Sequence, residues 1–242
     1  MTRLLEVEKL VKRFGGLIAT DDLSFQVEEG ESLGLIGPNG AGKTTVFSQI
    51  MGELRQDAGH IAFRGRDISN LPTHERIKSG VARTYQVPRP FPDMNVAENI
   101  RVGLMRDSLG AMLTKWPDPD AELAIAESVG FKSDDLMRLP SQLSMGDLRK
   151  LELARTLATE PEIMLLDEVF AGLTIGEITQ ISDLLAAKRQ DGMTFVIVSH
   201  DLRSLEPLVD RVVAMSFGKV IAEGAFKDVM NDDGVRAAYL GH

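Results

Sequence analysis

Residues 32–51 read SLGLIGPNGAGKTTVFSQIM, and this stretch decides the fold. Its middle, from Gly37 to Thr45, satisfies the phosphate-loop pattern: Gly37, four residues, then Gly42, Lys43 and Thr44. The apolar run 32–36 before it reads as a short buried strand, and 44–51 after it as a helix. That strand–loop–helix context gives the pattern physical meaning. Gly37, Gly40 and Gly42 reach backbone angles that other residues resist, so an anion can approach the main chain. The candidate cradle is therefore Gly37, Pro38, Asn39, Gly40, Ala41, Gly42, Lys43, Thr44 and Thr45. Its N–H groups converge on the anion at the positive end of a helix. Lys43 is placed to reach β- and γ-phosphates, and the Thr44 hydroxyl to hold Mg²⁺.

Composition narrows the rest. The chain has 242 residues, with 27 Lys+Arg against 36 Asp+Glu, a net charge of −9. That balance opposes a nucleic-acid partner, which rewards clustered positive charge. There is no cysteine, which excludes disulfides, thiolate metal sites and cysteine nucleophiles. No apolar run approaches the roughly 18–20 residues that span a bilayer. The N-terminal MTRLLEVEKLVKRF is too charged for a signal-peptide core. The expectation is a soluble intracellular protein that meets a membrane only through a partner.

Upstream of the loop, 4–8 and 25–28 alternate like strands. Phe14 lies between them before Gly15-Gly16, where it either stacks on a nucleotide base or fills the core at a strand end. Downstream, 60–65 reads as a strand ending in a turn, Pro72 opens a helix through Lys78, and 81–85 reads as another strand. Gln86 follows, then VPRPFP at 87–92, whose three prolines forbid regular structure and mark a subdomain boundary. From Val96 to about Ala158 the pattern is helical, broken at Trp116-Pro117-Asp118-Pro119 and at Pro140-Ser141. Ser144 is a candidate N-cap with Asp147 three positions on. The apolar run 163–166 suits a strand buried on both faces, followed by a helix over 175–189 and a strand over 194–198. Strands near 211–215 and 219–222, joined at Phe217-Gly218, and two short helices complete an α/β chain with a mainly parallel sheet.

The chemistry gathers at strand ends. Asp167 closes an apolar strand, the position from which a carboxylate reaches a metal held by Thr44. In a strand-like backbone Glu168 points the other way, free to polarise an attacking water. His200 ends the 194–198 strand and Gln86 the 81–85 strand. In open parallel sheets ligands collect at this carboxyl edge. His200 is placed to contact a γ-phosphate, and Gln86 to contact Mg²⁺ or the water and to report nucleotide state to the proline-rich connector.

In order, the chain carries Phe14, the loop 37–45, Gln86 in RTYQVPRPF, LSMGD at 143–147, IMLLDE at 163–168 and His200 in VSHDL. Along essentially its whole length it resembles the ATP-binding subunit of ABC transporters. GLIGPNGAGKTT, ARTYQVPRPFPDMNVAENI and GKVIAEGAFKDVMNDDGVRAAYLGH are most similar to the branched-chain amino acid importer group, LivG-like. The resemblance implies a P-loop NTPase core with an antiparallel β subdomain over 1–86 and 160–242. It also implies an inserted α-helical subdomain over 87–159 that carries the signature segment. It implies ATP and Mg²⁺, with Thr44, Gln86 and Asp167 near the metal, and Glu168, His200 and Gln86 in catalysis. It further implies a head-to-tail dimer in which Ser144 and Gly146 contact the partner's ATP. Permease subunits at the cytoplasmic face of the membrane, and indirectly a solute-binding protein, complete the expected assembly.

Four residues depart from the family pattern: Met145, Asp147, Val169 after Glu168, and Thr174. They sit on elements that meet across the implied dimer, so a slower site or a non-identical sister subunit is expected. Two alternatives stand beside the transport motor: a weakly hydrolysing regulatory module, and a non-transport ABC ATPase acting on nucleic acid or ribosomes. The second lacks the basic patches it would need.

Overall fold

The computed structural model describes residues 2–105 and 119–240. In chain order its elements are β1 (Arg3–Phe14), β2 (Leu17–Glu28), β3 (Ser32–Ile36), α1 (Lys43–Ile50), β4 (Ala58–Phe63) and β5 (Arg66–Asp67). Next come α2 (Thr73–Lys78), β6 (Val81–Arg83), α3 (Val96–Leu104), α4 (Pro119–Ser128), α5 (Met145–Leu157) and β7 (Ile163–Asp167). The chain continues with α6 (Ile175–Gln190), β8 (Thr194–Val198), α7 (Leu202–Leu205), β9 (Arg211–Ser216), β10 (Lys219–Gly224), α8 (Phe226–Asn231) and α9 (Asp233–Leu240).

Two sheets form. A six-stranded sheet runs in the order β10-β9-β3-β8-β7-β6, parallel except for its β10 edge. A four-stranded antiparallel sheet runs β2-β1-β4-β5. Strand β3 lies inside the first sheet, and all of its residues are buried, as its unbroken apolar run requires. Side-chain alternation divides the core into two. Leu33, Leu35, Leu165, Val196 and Val213 pack with α1 and the antiparallel sheet. Ile36, Met164, Leu166, Ile197 and Ala214 pack with the helices on the other face. The same alternation carries Asp167, two residues beyond Leu165, to the α1 side of the sheet.

Two local expectations change. The strand over 81–85 stops at Arg83: Thr84 N–H still donates to Leu165 O at 2.9 Å, but the Asp167 N–H turns to the Thr84 hydroxyl and the Tyr85 N–H to Glu152. β1 and β2 are longer than their alternating cores, since shifts of register interrupt the period-two signal. The break at Trp116-Pro117-Asp118 lies outside the described residues. Pro140 does interrupt the helical segment, opening a single 3₁₀ turn over Pro140–Gln142. Among the described residues no helix is long and apolar enough to cross a membrane.

α1 is fixed at its far end by Arg76, which is 1% exposed. One guanidinium nitrogen donates to the carbonyls of Gln49 and Ile50, both at 2.7 Å, where a helix leaves its carbonyls unpaired. The others donate to Leu71 O and Ser69 O, each at 2.9 Å. Replacing Arg76 with Leu takes the donor from Ile50 O and Leu71 O in the interior, while Gln49 O keeps the Gly52 N–H at 3.1 Å and Ser69 O the Gln56 amide at 3.2 Å. We expect a loss of about 3 kcal/mol of unfolding free energy in urea titrations. A loss below about 1 kcal/mol would show that water replaces the guanidinium.

Candidate active site

Helix α1 starts without the usual side-chain cap. Its N-cap is Gly42, at φ 105°, with no side-chain hydrogen bond and no acidic residue in the first turn. The N-terminal donors of α1 thus face the loop rather than a neighbouring side chain. The glycines are sterically required: a Cβ on Gly37 would lie 2.2 Å from Met215 O, and one on Gly42 2.2 Å from Ala19 O. Lys43 is 6% exposed, and its ammonium donates to Gly37 O at 2.7 Å and Pro38 O at 3.1 Å. Burial lowers its pKa, while the negative charges of Glu168 and Asp167 act the other way.

A cavity of about 370 Å³ opens in front of the loop. Asn39 to Thr45 line it, together with Phe14, Gln86, Glu168 and His200. Phe14 ends β1 with 48% of its surface exposed, so it is not a core residue. Lys12 Nζ lies 5.7 Å from its ring centroid, and Leu17 and Ile18 continue the apolar rim.

Asp167 and Glu168 diverge, but not by strand alternation. β7 ends at Asp167, and Glu168 takes a left-handed backbone at φ 50°, rare for a residue with a side chain. This corrects the strand-like geometry expected for it. The Glu168 carboxylate turns to His200, whose backbone N–H donates to Oε2 at 3.1 Å and whose Nε2 lies 3.2 Å from Oε1. Asp167 turns to Arg83, a residue that the sequence did not single out. Arg83 holds Asp167 Oδ2 at 2.7 Å, Glu53 Oε2 at 2.7 Å and Ser48 Oγ of α1 at 2.9 Å. Asp167 Oδ1 is left buried with no partner. An orphaned carboxylate oxygen on the α1 side, with the Thr44 hydroxyl exposed at the head of that helix, fits a hard cation that keeps most of its waters. Among the described residues no group of three or more His, Asp or Glu stands together as a metal cluster.

Gln86 is exposed, and its carbonyl accepts from Arg149 at 2.8 Å. Arg149 also donates to Tyr85 O at 2.7 Å and pairs with Glu152, whose other oxygen accepts the Tyr85 N–H at 2.8 Å. Burial raises the pKa of Glu152, and the neighbouring Arg149 opposes it.

Ser144 and Gly146 do not line this cavity. Ser144 caps α5 by accepting from Asp147 N at 3.1 Å. Glu177, on α6, then closes the helix end: its carboxylate accepts from Gly146 N at 2.9 Å and Ser144 Oγ at 3.2 Å. The same carboxylate forms a capping box with Thr174, which explains a threonine there through local structure. Lys150 lies 3.5 Å from Asp147, offsetting its charge.

The ABC transporter family model matches residues 20–171, and the branched-chain amino acid ATP-binding cassette transporter model matches 219–242. The chain is 36% identical to the high-affinity branched-chain amino acid transport ATP-binding protein LivG of Salmonella typhimurium, over 98% of each chain. It is 35% identical to the lipopolysaccharide export system ATP-binding protein LptB of Acidithiobacillus ferridurans, over 100% of this chain and 98% of that one. In structure it resembles an ATP-binding cassette of an ABC transporter in its ADP conformation, with TM-score 0.89, 31% identity and full coverage of both chains.

The Glu177 contacts predict a pH dependence. Hydrogen bonds from Thr174 first, then Gly146, hold its pKa near about 2, against an ordinary 4.5. A depressed carboxylate stabilises the fold above its unfolded pKa and loses that contribution as pH falls through the folded value. The Tm difference between the parent and Glu177→Gln should be largest above pH 5 and shrink between about pH 4.5 and 2. A difference constant over that range would show that the carboxylate charge plays no part.

Proposed function

This chain belongs to the ABC transporter ATP-binding family and is an ATPase of that family, and on that premise we propose that it drives an importer of branched-chain amino acids. The match of residues 219–242 to the branched-chain amino acid model carries the choice of solute class. A second reading, an exporter motor, is favoured by the 35% identity to a lipopolysaccharide export protein.

In the proposed reaction the loop 37–45 cradles the triphosphate of ATP and Phe14 stacks on adenine, a contact worth about 1–3 kcal/mol. Lys43 exchanges the Gly37 and Pro38 carbonyls for phosphate oxygens. Mg²⁺, held near Thr44, Asp167 and Gln86, would neutralise charge on the β- and γ-oxygens. Arg83 keeps Asp167 Oδ2 occupied, so Oδ1 is the oxygen turned to that task. Glu168 takes the proton of the attacking water, and His200 orients both the carboxylate and the γ-phosphate. Ser144 and Gly146 contribute from a partner chain, identical or a sister, once they exchange Glu177 for its nucleotide.

The partner on the membrane side is proposed to be a pair of permease subunits, served by a solute-binding protein. A cleft of about 320 Å³ supports this placement, lined by Tyr85, Arg89, Val102 and Arg155 beside the proline-rich connector. A permease segment resting there would bear on the residue next to Gln86. The chain would then stand at the cytoplasmic face of the membrane through these subunits alone.

Two measurements test the proposal. Glu168→Gln should lower ATP turnover about 10²–10⁴-fold and leave an ATP-dependent dimer on gel filtration. Parental turnover would remove Glu168 from its role. The complex co-purified with its membrane subunits and reconstituted in vesicles should import leucine on ATP addition. ATP-driven movement of lipopolysaccharide instead would establish the exporter reading.

A further inference from the structure

Gly37 stands where β3 leaves the sheet. The parallel ladders on its two sides end with Leu35 opposite Val198 and Ile36 opposite Ala214. The N–H of Gly37 therefore emerges beyond the last strand pair, in a crowded place where a Cβ would strike Met215 O. A main-chain donor in such surroundings needs an acceptor. That acceptor comes from the far end of the sequence: the Tyr239 hydroxyl takes the Gly37 N–H at 2.8 Å. Tyr239 lies on α9, which Val235, fully buried, anchors to the protein. Burial raises the pKa of the phenol and the Glu168 carboxylate raises it further, while the Gly37 contact opposes both; the hydroxyl thus lies within the field of the catalytic carboxylate.

The other backbone group of Gly37 is also held, its carbonyl accepting from Lys43 Nζ at 2.7 Å. The two ties differ in fate. Lys43 must release the carbonyl when it turns to phosphate, whereas Tyr239 has no such competing task. We propose that Tyr239 is a positioning residue for the nucleotide: from the C-terminal helix it holds the entrance of the phosphate loop while Lys43 changes partners. Helix α9 then bears on the ATP site through Tyr239. The proposal rests on the reading of 37–45 as the triphosphate cradle.

Tyr239→Phe keeps the ring and removes the acceptor. In the full chain with Mg²⁺ and ATP, the KM for ATP should rise about 3- to 10-fold, the worth of one hydrogen bond, with kcat within about twofold of the parent. With ¹⁵N-glycine labelling the Gly37 amide resonance should move. Tyr239→Trp, which keeps an aromatic ring but cannot accept the bond, should reproduce the rise in KM. An unchanged KM in Tyr239→Phe overturns the proposal, as does a lowered Tm with KM unaltered, the mark of a purely structural contact. Lys43→Ala separates the two levels. If it binds ATP like the parent, the cradle reading itself fails. If it loses ATP while Tyr239→Phe keeps the parental KM, only the role of Tyr239 fails.

Discussion

The guanidinium of Arg149 has none of its side chain exposed, and the arrangement around the site depends on it. A buried charge is tolerated only when it is paired and most of its donors are hydrogen-bonded, and here both terminal nitrogens are bonded while Nε has no partner. Glu152, one turn along α5, supplies the charge, but most of the acceptors are backbone carbonyls from elsewhere: Tyr85, Gln86 and, at 3.5 Å, Glu168. Desolvation thus forces three separate segments to meet at one side chain. The helix that begins at Ser144, the start of the proline-rich connector and the left-handed turn at Glu168 are held as a unit. Any displacement of α5 is felt by the carbonyls of Gln86 and Glu168, because leaving the guanidinium unpaired would cost about 3–5 kcal/mol.

Arg83 applies the same logic on the other face of the sheet. Its side chain is 4% exposed and joins Asp167 to Ser48 on α1 and to Glu53 beyond it, while lying 5.7 Å from the Phe47 ring and 5.1 Å from that of Tyr85. Two buried arginines, reached from β6 and α5, therefore fix the two adjacent carboxylate positions separately. Asp167 belongs with α1 and Glu168 with His200. The division of labour expected of the pair follows from these partners and from the turn at Glu168, not from the pleat of a strand.

Much of this was legible in the sequence because it is locally encoded. Residues 32–36, 163–166 and 194–198 are continuous apolar runs, and such runs have few places to go other than the middle of a parallel sheet. The glycines of the loop announce backbone angles, and Ser144 announces a helix start. The exposed Phe14 was not decidable from residue type, because a strand end can face the core or a cleft with the same neighbours in sequence. Arg83, Arg149, Glu177 and Tyr239 gave no signal at all. Each is an ordinary polar or amphipathic residue in a helix, strand or turn, and its meaning comes from a partner far along the chain: Asp167, Gln86, Gly146 and Gly37 respectively. Hydrophobic periodicity reports which face is buried; it carries no information on which buried polar group meets which.

The two helix N-termini that face phosphate in the proposed dimer are in opposite states within one chain. α1 begins at a glycine, with no side-chain cap, so its donors await an external anion. α5 begins at a serine whose neighbouring donors already hold the Glu177 carboxylate. A carboxylate and a phosphate compete for the same N–H groups, since both are oxyanions drawn by the same partial positive charge. The difference has an energetic consequence. Binding of a nucleotide to the chain's own loop displaces only the Lys43 ammonium from two carbonyls. In the proposed dimer, completion of the site by α5 of a partner would require the Glu177 carboxylate to leave first. Binding and closure would then have different thresholds, because α1 begins at an uncapped glycine and α5 at donors already held by a glutamate.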